Sequence, residues 1–260
     1  MEVHAHTHTP RKKWKHYFWE FLMLFLAVFC GFLAEYQLEH KIERDRAKEL
    51  AVSFYNELQD DSTSIQGVMN QREKKDKALT YLRNYYRDSS INNCSKTFAL
   101  NFTYGYLMNS PAVFEPRDAI LEQLKSSGSL RYFKNKDLQT LTSNLSVTIA
   151  NLRKRNEYEW TFYHENIQPF LNLHNDMDFY DQVSLDSKKF YIELLKSYEN
   201  SGEVFPFHLA KPESFDKTVA INITGNYRLI LRGSSIKQYQ EYYSLNQSLM
   251  QKLRSVYHLK

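Results

Sequence analysis

Two short groups of polar residues carry side chains that could perform acid–base chemistry or bind a metal. His164 and Glu165 are adjacent, and His174, Asp176 and Asp178 follow further along the chain. Imidazole and carboxylate groups transfer protons and bind zinc, but a metal site needs further ligands at a defined spacing. The sequence offers no second ligand pair at such a spacing. Because polar residues are also expected at a helix end and in a turn, we favour a structural role for both groups.

Three histidines alternate in the N-terminal arm, at His4, His6 and His8. Neutral imidazoles suit zinc, copper and nickel. A structural metal site also needs four fixed ligands and groups that orient them, which this arm does not supply. We therefore predict a solvated tail, with metal binding as the alternative.

Motifs with a strong catalytic meaning are absent from the sequence. It contains no glycine-rich phosphate loop, no HExxH or GxSxG motif and no CxxC pair. Each of these motifs fixes a defined chemistry when it lies in the right structural context. We therefore predict a protein that is not an enzyme, with no catalytic, cofactor-binding or metal-binding residues and no cofactor.

The formal net charge of +4 belongs mostly to a short N-terminal segment. Residues 1–16 carry four basic residues in Arg11–Lys15 against Glu2, whereas the rest of the 260-residue chain carries 30 basic and 29 acidic residues. A nucleic-acid-binding domain normally presents a basic face that neutralises many phosphates. We therefore predict no nucleic-acid partner. With 42% hydrophobic residues, 7 Gly and 6 Pro, the composition is that of a globular protein.

The apolar segment Tyr17–Ala34 predicts a transmembrane helix. Glu20 is its only charged residue, and a helix of this length reaches roughly 27 Å, close to the roughly 30 Å hydrocarbon core of a bilayer. A cleaved signal peptide and a buried core helix are the alternatives. The long aromatic run without a small-x-small cleavage site argues against the first. Trp14 and Trp19, which lie where interfacial anchors belong, argue against the second.

Basic residues are concentrated before this segment, whereas those from Lys41 to Lys48 are interleaved with acidic residues. The positive-inside rule then predicts a cytoplasmic N-terminus. We assign residues 1–16 to a basic, histidine-rich cytoplasmic arm, residues 17–35 to the transmembrane helix and residues 36–260 to a helical extracytoplasmic domain. In a bacterial cell this arrangement is a single-pass inner-membrane protein with a periplasmic domain.

Glu20 and Gly31 are the two residues of the apolar segment that invite a functional interpretation. Glu20 lies one helical turn from His16, so we expect it to pair at the interface or between helices, with a role in transport as the alternative. Gly31 and Ala27 form a single small-xxx-small pair, which would permit close approach of a second helix.

The remaining sequence predicts an all-α fold in which the transmembrane helix continues into a long helix of a membrane-anchored bundle. Apolar residues recur at a 3–4 spacing from Ala51 to Tyr86, and Asp61, Arg72 and Lys75 interrupt the same register. Residues 88–115 lack a sustained helical period, and we interpret them as a loop with short ordered pieces, either a strand pair or a ligand-facing cap.

Local signals place the later helices. Gly128 predicts a left-handed helix cap, Asn135 predicts an N-cap, and a helical break is expected at Gly225 or Gly233. Residues 174–181 are predicted as a turn. The predicted helices cover Arg117–Lys125, Asn135 to about Pro169, Asp186–Glu199 and Phe215–Tyr257.

The two cysteines, Cys30 and Cys94, are separated by the predicted long helix. Over residues 36–86 that helix would measure roughly 75 Å, whereas a disulfide needs Cα atoms within about 7 Å. We therefore exclude an intrachain disulfide. Cys94 is expected to be buried beside Phe98 and Phe102, with availability to a second chain as the alternative.

The N-terminal fifth of the chain resembles an uncharacterised family of single-span, membrane-anchored bacterial proteins. The residues that carry the resemblance are Lys12–Val28, Gly31–Glu35 and Glu39–His40. A looser likeness to related membrane-anchored proteins covers Phe114–Arg117 and Leu124–Leu138. The resemblance implies a helical domain after the span, and it implies no activity, because the family carries none that is established.

These observations predict a membrane-anchored, non-enzymatic helical module that senses or binds a ligand in the periplasm or scaffolds partners there. The expected partners are the lipid bilayer and a membrane or periplasmic protein, with a second copy of the chain as one candidate. The alternative function is a structural subunit of a larger membrane protein complex, in which Glu20 and Gly31 contact neighbouring spans. Neither the ligand nor the partner follows from the sequence.

Overall fold

A computed structural model describes residues 13–108, 110–184 and 191–259 of the chain. The regular structure of these residues is helical, so the predicted all-α fold is confirmed. The chain divides into two units, residues 1–51 and residues 52–260. His4, His6 and His8 of the N-terminal arm lie outside the described residues.

The described helices follow one another with short connections. They are α1 (Trp14–Asp88), α2 (Lys96–Phe102), α3 (Ala119–Ser126), α4 (Lys136–Phe162), α5 (Gln168–His174), α6 (Met177–Ser184), α7 (Tyr191–Asn200), α8 (Lys217–Gly233) and α9 (Gln240–Tyr257). Wider π-helical turns follow α2, α4 and α8 directly, over Thr103–Leu107, Tyr163–Ile167 and Ser234–Tyr239, and single 3₁₀ turns lie at Ser129–Tyr132 and Pro212–Ser214.

The first unit contains the beginning of α1, where the apolar side chains lie on the surface. Within the described residues, no part of the most apolar 18-residue window is buried, and Leu24 and Val28 are 69% and 73% exposed. The segment is therefore not the core helix of a soluble domain. The protein has one long apolar helix near its N-terminus that is compatible with a single membrane span. His16 Nε2 lies 3.3 Å from Glu20 Oε1, as the helical spacing predicts.

The second unit is built around the later part of α1, which buries Phe54, Leu58 and Leu79 on one face. Helix α4 packs against α9. Ser62 of α1 donates a hydrogen bond to Asn246 Oδ1 of α9 at 3.1 Å. These contacts make a helical bundle whose apolar layer follows the predicted 3–4 spacing.

Residues 88–115 contain short ordered pieces, as predicted, but the described pieces are helical and not a strand pair. Helix α2 and the π-helical turn after it occupy Lys96–Leu107, and in place of a strand pair there is a single antiparallel bridge between Cys94 and Phe207. The Ser95 side chain caps α2 by accepting a hydrogen bond from the Phe98 amide at 3.2 Å. A seven-residue helix spans only two turns, so its periodicity is too short to be recognised in the sequence.

The predicted caps are present, whereas several predicted helix ends are displaced. The Asn135 side chain accepts from the Leu138 amide at 3.0 Å, and Gly128 has a φ of 68° directly after α3. Helix α3 begins at Ala119 rather than Arg117, the helical path of α4 extends through α5 to His174 rather than ending near Pro169, and α6 replaces the predicted turn at 174–181. Pro169 lies in the first turn of α5, directly after the π-helical turn, in which the Gln168 amide donates to the Tyr163 carbonyl.

The final helical region changes from an α-helix to a π-helical turn after Gly233, one of the two predicted break points. Helix α8 ends there, and the π-helical turn leads into α9, which ends at Tyr257 as predicted. The predicted start of the preceding helix at Asp186 lies outside the described residues, and α7 is described from Tyr191.

Candidate functional site

The most polar part of the bundle core surrounds three charged residues that we call the polar centre, Arg72, Lys75 and Glu159. Their exposed fractions are 1%, 2% and 0%. Arg72 and Lys75 are two of the three residues that interrupt the apolar register of α1. Burying charged groups costs free energy unless they are paired and hydrogen-bonded. The polar centre is therefore, like the buried Asp61, a part of the core that apolar packing does not explain.

Arg72 and Glu159 form a bidentate ion pair between α1 and α4. The two guanidinium–carboxylate distances are 3.0 Å and 2.9 Å. The remaining Arg72 hydrogens are donated to Ser235 Oγ at 2.7 Å, to the Ala112 carbonyl at 2.5 Å and to the Leu231 carbonyl at 2.8 Å. All five N–H groups of the guanidinium thus have acceptors. The charges of Arg72 and Glu159 therefore neutralise each other, and the hydrogen bonds fix the orientation of the guanidinium.

Aromatic and π-helical elements enclose this ion pair. The Arg72 guanidinium carbon lies 4.8 Å from the centre of the Tyr239 ring, and the Tyr239 hydroxyl donates to Asn156 Oδ1 at 3.0 Å. Tyr239 and the Arg72 acceptor Ser235 both belong to the π-helical turn after α8. Single π-helical turns within helices are frequently located at functional sites. Here the wider turn places the Ser235 hydroxyl and the Tyr239 ring in contact with the Arg72 guanidinium.

Lys75 is the third charge of the polar centre, and it forms no salt bridge within the described residues. Its ammonium group donates to Ser110 Oγ and to the Gly105 carbonyl, the latter at 3.4 Å. Its nitrogen also lies 5.7 Å from the centre of the Tyr227 ring. Gly105 belongs to the π-helical turn after α2. The polar centre thus contains two cationic side chains and a single carboxylate, and that carboxylate is bound to Arg72.

Burial lowers the pKa of Lys75 to about 7, because the ammonium form loses its hydration. The charge of Glu159 opposes this decrease, and the charge of Arg72 adds to it. An amine with this pKa exchanges its proton near neutral pH. It can therefore gain a full charge when an anion arrives.

A cavity of about 190 Å³ opens beside Lys75. Lys75 and Met108 are its buried residues, whereas Lys74 and Lys196 are exposed. Its lining among the described residues is Asn70, Gln71, Lys74, Lys75, Tyr104, Met108, Ile192 and Lys196. The described part of the lining thus contains three lysines and no carboxylate. Such a cavity can attract and hold a small anion.

The carboxylate closest to this lining in the described hydrogen-bond network is Glu199, which accepts from the Tyr104 hydroxyl at 2.8 Å. The same contact raises the pKa of Tyr104, after burial as the larger cause. Tyr104 therefore stays protonated and donates its hydrogen to Glu199. This bond fixes the tyrosine at the edge of the cavity.

The histidine and aspartate residues that could perform acid–base chemistry or bind a metal instead make contacts that support the fold. His164 is exposed, and its ring stacks on Trp160 with centres 5.4 Å apart. His174 is buried with Nδ1 3.1 Å from the Ala210 carbonyl. Asp176 accepts from the Phe179 and His208 amides at 3.1 Å and 2.6 Å.

These residues do not assemble into a metal site. Across residues 13–108, 110–184 and 191–259, no group of three or more histidine, cysteine, aspartate or glutamate residues could hold a metal ion. Asp176 instead fixes the start of α6 and the segment around His208, which is the structural role favoured for it.

Both cysteines are free. Cys94 is half-buried against the aromatic core, and its thiol lies 3.4 Å from the Ile91 carbonyl. Burial raises its pKa to about 11, so the thiol is protonated near neutral pH. The expected burial of Cys94 is therefore found in part.

Sequence reasoning selected no residue of the polar centre as a site. The available signal was the interruption of the α1 register by charged residues at positions where core residues belong. Its interpretation required Glu159, which lies 87 residues from Arg72 in the chain. No family model, curated protein or solved structure matches this chain. The functional interpretation consequently rests on the geometry of the polar centre and its cavity.

Proposed function

We propose that this protein is a membrane-anchored, non-enzymatic helical module that binds or senses a ligand in the bacterial periplasm. One observation carries the proposal: α1 contains both an exposed apolar segment of membrane-spanning length and the buried cations Arg72 and Lys75. Exposed apolar surface of this extent needs a lipid or protein environment. Of these two cations, Lys75 forms no salt bridge within the described residues and lies next to an open cavity, an arrangement expected of a binding site.

The proposed topology places residues 1–16 in the cytoplasm and residues 36–260 in the periplasm, with the inner membrane between them. The basic residues of Arg11–Lys15 support this orientation through the positive-inside rule. The proposed partner of this module is either a membrane or periplasmic protein or a second copy of the chain.

A structural subunit of a larger membrane complex is the second candidate function. The observation that favours it is the open surface around Gly31, where an added Cβ atom would meet nothing within 4 Å. Small residues at such positions let another transmembrane helix approach closely. Purification in mild detergent distinguishes the two functions. A structural subunit would co-elute with other membrane proteins in a fixed ratio, and a binding module would not.

Two reporter fusions at the C-terminus test the proposed topology. An alkaline phosphatase fusion is expected to be active, because this enzyme folds only after export, and a cytoplasmic fluorescent protein fusion is expected to be dark. The chain is also expected to stay in the membrane fraction after carbonate washing. Fluorescence without phosphatase activity would contradict the topology, and release by carbonate would contradict the membrane anchor.

A further inference from the structure

We infer that the cavity lined by Lys74, Lys75 and Lys196 binds a small organic carboxylate. This inference names a ligand class for the proposed binding function and rests on that function. It starts from the charge of the cavity. Three lysines from α1 and α7 line it, and none of its other lining residues in the described ranges is a carboxylate. Opposite charge at short range is what makes a cavity select anions.

The neighbouring acidic groups do not neutralise the cavity. Glu159 uses both carboxylate oxygens on Arg72, and Glu199 accepts from the Tyr104 hydroxyl. Lys74 and Lys196 form no salt bridge within the described residues. An entering anion would therefore meet lysines that no carboxylate already holds.

The positions of the lining residues also suit a carboxylate. Asn70, Gln71, Lys74 and Lys75 lie one helical turn apart on one side of α1, and Ile192 and Lys196 lie one turn apart on α7. The amide groups of Asn70 and Gln71 add neutral donors to the lysine ammonium groups. Two helices thus present several donors to the same cavity.

The apolar residues of the lining favour an organic ligand over an inorganic one. Met108 is buried and Ile192 is exposed, and both line the cavity. These side chains would lose contact with water when an apolar group is bound, which stabilises an organic ligand but not phosphate. A volume of about 190 Å³ corresponds to about six water molecules in the liquid. The ligand therefore has on the order of ten non-hydrogen atoms or fewer.

Proton uptake by Lys75 would accompany binding. Burial holds the pKa of this amine at about 7, and a nearby carboxylate favours the ammonium form. The groups that face or neighbour Lys75 are Arg72 and Lys74 on α1, Glu159 on α4, Tyr227 on α8, Tyr104 after α2, and Lys196 and Glu199 on α7. We expect the affinity to be about tenfold lower at pH 8.5 than at pH 6.

Isothermal titration of the full-length protein in non-ionic detergent tests the inference. The probes are acetate, butyrate and benzoate at pH 6, with inorganic phosphate as the comparison. Benzoate and butyrate are expected to bind more tightly than phosphate. Lys74→Met and Lys196→Met should each weaken benzoate binding by about tenfold, because each variant removes one positive charge from the cavity.

Lys154→Met is the matched control. Lys154 is an exposed helical lysine that lines a different groove, together with Arg155 and Lys237. The control should leave benzoate affinity unchanged. If Lys154→Met weakens binding and Lys196→Met does not, the anion binds in that groove, and the inference is wrong.

Lys75→Met tests the proton linkage. This variant should bind benzoate weakly and with the same affinity at pH 6 and pH 8.5. Should it fail to fold, the pH titration of the unaltered protein, together with the Lys74 and Lys196 variants, decides the question.

Three further results would overturn the inference. They are the absence of binding by all three carboxylates, tighter binding of phosphate than of benzoate, and equal benzoate affinity of the unaltered protein at the two pH values. None of these results depends on the reporter fusions or on carbonate washing. A wrong ligand class and a wrong membrane assignment are therefore distinguishable.

Discussion

Side chains along α1 meet opposite surroundings in residues 17–34 and in residues 61–75. In the first segment, large apolar side chains are exposed, as Leu24 and Val28 illustrate. In the second segment, Asp61, Arg72 and Lys75 are buried, with exposed fractions of 1%, 1% and 2%. The same helical geometry therefore carries apolar residues outward in one region and charged residues inward in the other.

The difference shows that the exposed fraction of a side chain indicates whether it is stable only when the surrounding medium is also considered. Apolar side chains are stable on a surface that faces lipid, because lipid offers no hydrogen bonds and requires none from them. Charged side chains are stable in a core only where partners replace water, as Glu159 does for Arg72. The first region depends on an environment outside the chain, whereas the second depends on contacts within it.

The largest expected effect comes from charging the apolar segment. Leu24→Arg combined with Val28→Arg places two charges on one face of the helix, and each costs about 2.5–3.5 kcal/mol near the centre of a transmembrane helix. We expect most of the protein to leave the membrane fraction on carbonate washing. The control is Asn56→Arg combined with Gln59→Arg, at exposed positions of α1 in the second unit. Full membrane retention of the Leu24 and Val28 variant would contradict a lipid environment for this segment.

The second-largest effect tests whether a buried charged residue depends on its partner within the chain. Arg72→Met leaves the Glu159 carboxylate buried without a counter-charge, which should lower the free energy of unfolding by about 3–5 kcal/mol. Adding Glu159→Met should restore at least about 1 kcal/mol of this loss, because both charges are then absent. Urea unfolding at pH 7 measures both changes.

Arg153→Met is the control for this experiment. Arg153 pairs with Glu115 and Asp118 on the surface, at 2.6 Å and 2.7 Å. Exposed pairs contribute about 0.2–1 kcal/mol, so this variant should unfold almost like the unaltered protein. An equal loss for Arg153→Met and Arg72→Met would mean that burial does not set the strength of these ion pairs.

The third effect is the pH dependence that Lys75 imposes on stability. Its pKa is 10.5 ordinarily and about 7 in the folded chain, so between these values the unfolded chain holds a proton that the native chain lacks. Raising the pH from 7 therefore stabilises the native state, by about 1.4 kcal/mol per pH unit at most. The raised pKa of Cys94 has the opposite effect at higher pH, so urea unfolding should be compared between pH 7 and pH 9.

Lys75→Met should remove this increase in stability with pH, and Lys74→Met, at the exposed neighbouring position, should preserve it. If the unaltered protein and Lys75→Met gain stability equally between pH 7 and pH 9, then Lys75 stays protonated in the native state.

The smallest effect contrasts two glycines of the second unit. Gly67 lies within α1, and a Cβ atom there would meet nothing within 4 Å, so Gly67→Ala should raise the free energy of unfolding by about 0.5–1 kcal/mol. At Gly105 a Cβ atom would lie 3.1 Å from Leu82 Cδ1 and 3.2 Å from Leu79 Cδ2. Both leucines are fully buried, so Gly105→Ala should cost about 1 kcal/mol. Thermal unfolding curves should shift in opposite directions, and stabilisation of both variants would show that the core beside Lys75 is loosely packed.

Local sequence signals predicted the fold wherever the structure depends on neighbouring residues. The 3–4 apolar spacing gave the long helix α1, Asn135 marked the beginning of α4, and Gly128 marked the end of α3. Each feature needs only a few consecutive residues. Helix α2 was missed because its seven residues are held by the packing of Phe98 and Phe102 in the aromatic core rather than by a long amphipathic period.

The sequence by itself determined the all-α class, the apolar N-terminal helix and the interruption of α1 by charged residues. Only the tertiary structure decided what those charged residues do. It pairs Arg72 with Glu159 from α4, leaves Lys75 with neutral partners, and places Lys196 of α7 at the same cavity. The physical reason is range: helix formation and capping depend on residues within a few positions, whereas charge pairing and cavities depend on which distant helices pack together.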